Sequence, residues 1–112
     1  MRLVALLLAV HLLTPAMVWA QRTTITHTVV SVDGASEAVL AANGARNFVR
    51  LTNDHATAVV YCKWGATAVL NEGFRVNAVG GVYHLEVKVP RAALNCIATG
   101  AATPLLVEEG VQ

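Results

Sequence analysis

The feature that most constrains this chain is a succession of short segments rich in Val, Ile, Thr and aromatic residues, interrupted by Gly, Asn and Asp at intervals of about ten residues. Helical periodicity is nearly absent after the first twenty residues. The spacing predicts an all-β fold, an antiparallel β-sandwich of about eight short strands, with a jelly roll as one way to connect them. Strands are expected over Thr23–Val32, Glu37–Leu40, Asn47–Thr52, Ala58–Trp64, Phe74–Asn77, Val82–Val89, Leu94–Ala98 and Leu105–Glu108. Asn43-Gly44 has the chemistry of a tight hairpin, because both residues accept positive φ. Gly80-Gly81 is likewise assigned to a hairpin turn, and Asn53-Asp54-His55 to the turn after the third strand. Ser36–Gly44 admits a rival description as a two-turn helix, with Ser36 as N-cap and Gly44 as stop. Strand followed by turn is preferred, since so short a helix is unstable alone.

Period two then assigns faces. Ile25, His27 and Val29 share one side of the first strand. Val49 and Leu51 oppose Phe48 and Arg50 on the third. On the fourth, Val60, Cys62 and Trp64 are assigned to the core, opposite Val59, Tyr61 and Lys63.

The first twenty residues follow another logic. Arg2 precedes the apolar run LVALLLAVHLL, and Pro15 and Val18-Trp19-Ala20 follow it. A basic start, an apolar stretch shorter than the ~20 residues of a spanning helix, and small or aliphatic residues where signal peptidase reads them describe a secretory signal cleaved after Ala20. The competing description is an uncleaved anchor. With cleavage, residues 21–112 form a single domain exported to the periplasm or the exterior, with no membrane association. Without Arg2, the eight basic residues of the chain become seven against seven acidic ones, so the formal charge is zero. No basic cluster exists to neutralise phosphates or anionic lipid, and nucleic acid is not expected as a partner.

Cys62 and Cys96 are the strongest individual chemical signal. An even cysteine count in an exported chain implies a disulfide. Two buried free thiols, a metal pair and a catalytic thiol are the alternatives, but no further ligands or activating His stand close in sequence. No metal or cofactor is expected: His27, His55 and His84 lack any spacing that brings imidazoles to one ion, and His55 is assigned to a solvated turn. Catalysis is not expected either. Ser31 and Ser36 lie outside any nucleophile-elbow turn, the acids are scattered, and Glu108-Glu109 reads as an exposed terminus. Tyr61, Phe74 and Tyr83 remain as candidate contacts to a ligand or partner.

The order of the segments resembles the small β-sandwich virion-associated structural proteins of tailed bacteriophages, the head and tail accessory components. The resemblance rests on Val39-Leu40-Ala41-Ala42-Asn43-Gly44-Ala45-Arg46, on Val60-Tyr61-Cys62-Lys63-Trp64-Gly65 and on Gly73-Phe74-Arg75-Val76-Asn77-Ala78-Val79-Gly80-Gly81. It continues in Val89-Pro90-Arg91-Ala92-Ala93-Leu94-Asn95-Cys96-Ile97-Ala98-Thr99-Gly100 and Leu106-Val107-Glu108-Glu109-Gly110. It implies a non-enzymatic structural or assembly module, a homo-oligomer or a component of a larger protein assembly, located in the virion if the leader is not used. The alternative is a secreted or periplasmic carbohydrate-binding or adhesion module, with glycan contacts at Tyr61, Phe74 or Tyr83.

Overall fold

The computed structural model describes residues 23–112, so the leader assigned to residues 1–20 lies outside the described residues. Eight strands form two four-stranded sheets: β1 (Thr24–Val32), β2 (Glu37–Leu40), β3 (Arg46–Asn53), β4 (Val60–Trp64), β5 (Phe74–Val76), β6 (Gly81–Leu85), β7 (Leu94–Ala98) and β8 (Thr103–Val111). One sheet has the order β1-β8-β3-β6, the other β2-β7-β4-β5, and every pairing is antiparallel. The pairs β1·β8, β2·β7, β3·β6 and β4·β5 are nested, as in one long hairpin of β1–β4 against β5–β8. Rolling that hairpin up adds β3·β8 and β4·β7, which complete the two sheets. This is the jelly-roll solution, with two interlocked Greek keys.

Rolling also corrects the expected turns. Only the β4–β5 connection stays within one sheet; every other connection crosses the sandwich. Asn43-Gly44 therefore joins the sheets instead of closing a hairpin, and neither residue has positive φ. Gly80-Gly81 is also a crossover: Gly80 has φ 82°, while Gly81 opens β6. The segment Glu37–Leu40 is strand, so the helical alternative for Ser36–Gly44 fails; pairing with β7 fixes it. At the C-terminus, β8 runs to Val111, three residues beyond the expected end at Glu108, because both β1 and β3 pair with it there. β6 conversely stops at Leu85, short of the expected Val89.

The core is made of inward-facing residues of both sheets, the expected Val60 and Cys62 among them. Val32, Val49, Leu51, Val60, Cys62, Val76, Leu94, Cys96, Ala98, Leu105 and Val107 pack between the sheets. Cys62 and Cys96 are direct partners on adjacent strands β4 and β7, and they form a disulfide at the centre of this cluster.

Asn53 is the polar residue that ties the crossovers together. It ends β3, where the sequence places a turn, and it is fully buried. Its Nδ2 donates to the carbonyls of Ala58 (2.8 Å) and Val76 (3.2 Å), and its Oδ1 accepts from the His55 N–H at 3.0 Å. Its own carbonyl accepts from the Gly80 N–H at 2.8 Å. An apolar replacement leaves several buried groups unpaired. Asn53→Leu is expected to lose about 2–4 kcal/mol in urea unfolding; a loss below about 1 kcal/mol would show that water replaces these bonds.

Candidate functional site

The three predicted contact residues do not form one site. Phe74 on β5 and Tyr83 on β6 stack, with ring centroids 3.7 Å apart and planes 8° from parallel. Trp64 lies 6.4 Å from Phe74, and its indole nitrogen is 3.5 Å from the Tyr83 hydroxyl. These three rings, all half-buried, fill the gap where the edge strands β5 and β6 of opposite sheets meet. Trp64, assigned to the core, is thus a lateral cover for it.

Tyr61 stands apart. It points away from the core, yet the β4–β5 loop folds over it and leaves it 9% exposed. Its hydroxyl donates to Asn71 Oδ1 at 3.0 Å, and the Arg75 guanidinium lies 5.9 Å from its ring. Outward direction on a strand was not equivalent to exposure, because a nine-residue loop covers that face.

The outer face of the β1-β8-β3-β6 sheet is the most ordered chemical surface among the described residues. Register places His27, Glu108, Arg50 and His84 in one row across the four strands. Arg50 Nη2 lies 2.8 and 2.7 Å from the two Glu108 oxygens, and His27 Nδ1 is 3.4 Å from Oε1. His84 Nε2 contacts Glu86 at 3.0 Å and its ring meets Phe48 edge-on at 5.1 Å. A parallel row carries Val29, Leu106, Thr52 and Val82. Val29 is 66% and Val82 56% exposed, and Ile25 extends the apolar surface on the far side of the ionic row. Below Phe48, Gly110 supplies the space the ring requires: a Cβ there would sit 2.7 Å from the Phe48 Cβ.

Glu108 is therefore not part of an exposed terminus, and it is buried by its cross-strand neighbours. The hydrogen bond from Arg50 holds its carboxyl below the usual carboxylate range, burial opposes that shift, and attraction to Arg50 and His27 adds to it. A depressed folded value stabilises the protein above the unfolded carboxylate range, near pH 4.3, and the contribution fades as pH falls through the lower folded value. The stability difference between wild type and Glu108→Gln is expected to be fully present at neutral pH and to shrink on acidification. Urea midpoints measured against pH check this; a difference that grows in acid contradicts it.

His55 is also more than a solvated turn residue. Its Nδ1 accepts the N–H groups of Thr57 (3.1 Å) and Ala58 (2.8 Å) and so shapes the entry to β4. The charged residue that sequence patterning missed is Arg46, whose side chain is fully buried. A bulge between Arg46 and Phe48 breaks the alternation of β3 and turns Arg46 inward. No local sequence signal marks it, since an Arg at the start of a strand ordinarily faces water.

The chain has no match among protein-family models, curated proteins or solved structures.

Proposed function

We propose that this protein is an exported, non-enzymatic structural module that works by protein–protein contact within a larger assembly, as the phage virion accessory proteins it resembles do. The observation that carries this reading is the outer face of the β1-β8-β3-β6 sheet. A pinned ionic row, flanked by exposed Val29, Val82 and Ile25, offers a partner apolar area without loose side chains to immobilise. The formal neutrality of residues 21–112 supports the same reading, because such a surface repels neighbours little. The disulfide is compatible with the oxidising compartment that the leader implies.

Size fractionation of the native host and its medium tests the proposal. The protein is expected in a fraction far heavier than a single chain, with its partners in fixed proportion. Val29→Asp/Val82→Asp should shift it to the free fraction without unfolding it. Free chain throughout for the wild type would overturn the reading. The rival glycan module draws less support: each of Phe74 and Tyr83 already gives one ring face to the other, and Tyr61 is buried. Glycan-array binding by wild type that Tyr83→Ala abolishes would move the assignment to a sugar platform.

A further inference from the structure

Four strands bound the two sheets, and three of them carry features that blunt an edge. β2 has four residues, begins at Glu37 and is bulged between Ala38 and Leu40. β5 has three residues with Arg75 in the middle. β6 has five residues and is followed by Glu86 and by Lys88 at φ 52°. β1 has none of these. Its nine residues pair with β8 without a shift, and they include no Pro, Lys, Arg, Asp or Glu. Residues Thr24–Val29 are exposed on both faces of the strand, so among the described residues neither the opposite sheet nor a loop covers them. Every second residue there directs its N–H and C=O to the open side, a template for another strand.

The sequence of this edge also specifies its partner. Around His27, Thr-Ile-Thr-His-Thr-Val-Val reads nearly alike in both directions. We infer that β1 pairs antiparallel with β1 of a second copy of this chain, about a two-fold axis at His27, joining two four-stranded sheets into one of eight strands. This register sets Thr26 against the partner copy's Thr28, Ile25 against Val29 and Thr24 against Val30. Thr–Thr and β-branched pairs are the cross-strand combinations that stabilise antiparallel ladders. An isologous contact of this type closes on itself, so it yields a dimer and not an open fibre. The inference rests on the assembly reading above and names its first step, a symmetric building block.

Sedimentation velocity on the oxidised protein purified from outside the cytoplasm, across the micromolar range, tests it. Wild type is expected to sediment at twice the chain mass. Thr26→Lys/Thr28→Lys places Lys against Lys twice across the axis and should weaken the dimer by about thirtyfold. Thr26→Lys/Thr28→Glu puts opposite charges in the same two places and should restore it. Both Thr side chains are exposed, so unchanged thermal midpoints of diluted monomer identify any effect as one on pairing.

A monomeric wild type, a dimer indifferent to the double lysine, or a charge swap that fails to restore pairing would each overturn the inference. These failures are separable from failure of the assembly reading. A chain monomeric in isolation that still co-fractionates with a particle loses the β1 dimer and keeps the assembly role.

Discussion

Arg46→Met is expected to lower the stability of the sandwich by about 3–5 kcal/mol, a large share of what a domain of this size possesses. Arg46 uses all three nitrogens of its fork, in four hydrogen bonds. Its Nε donates to Glu109 Oε2 at 2.7 Å, Nη1 to the carbonyls of Pro90 (2.7 Å) and Ala92 (2.8 Å), and Nη2 to the carbonyl of Ala41 at 2.6 Å. The Trp64 ring lies 5.2 Å from the guanidinium carbon, and Asn43 donates to the other Glu109 oxygen at 3.2 Å. One side chain thus fastens the β2–β3 crossover, the β6–β7 crossover and the end of β8. Removing it leaves three carbonyls without these donors and a partly buried carboxylate with only its Asn43 bond, so the loss exceeds that of a surface ion pair. Arg46→Lys keeps the charge but has a single donor centre, and it should recover less than half of the loss. Urea unfolding at neutral pH measures both. A loss under about 1 kcal/mol for Arg46→Met would show that the fold end is held by packing alone.

The second large effect belongs to the disulfide. Cys62 and Cys96 are 34 residues apart in sequence and both fully buried. Removing the cross-link with Cys62→Ala/Cys96→Ala is expected to cost about 4 kcal/mol by chain entropy, with a smaller addition from the volume lost in the core. Combined with Arg46→Met, it should leave little folded protein at ambient temperature, given the 5–15 kcal/mol typical of whole domains. Equal unfolding midpoints for the oxidised protein and the double alanine variant would show that the closed loop is already ordered in the unfolded chain.

The strands were legible and the connections were not, for a physical reason. Alternation records which residues share a face: it grouped Val49 with Leu51 and set Val60 and Cys62 towards the core, where all four lie. Turn residues record only that the chain changes direction. Asn43-Gly44 and Gly80-Gly81 look the same whether the next strand pairs with the last or crosses to the other sheet, and here both cross. The disulfide was legible from the even cysteine count and the expected export, whereas its place on adjacent strands depended on the roll.

The candidate site was less legible still. Tyr61 looked available because its neighbours Val60 and Cys62 point inward, but its cover comes from a loop that returns over the sheet. Glu108 looked terminal, but β1 and β3 close over it from either side. Arg46 escaped notice because a bulge, which leaves no trace in local composition, reverses its direction. Each of these depends on long-range register, and register is set by the whole sandwich.

Export of an oxidised chain is the claim on which the assembly account and the role of the disulfide both depend. The most direct test is the intact mass of the protein recovered from outside the cytoplasm, before and after reduction. A chain beginning at Gln21 that gains two hydrogens on reduction is expected. A chain beginning at Met1 with both thiols free would contradict that claim and place any assembly role inside the cytoplasm.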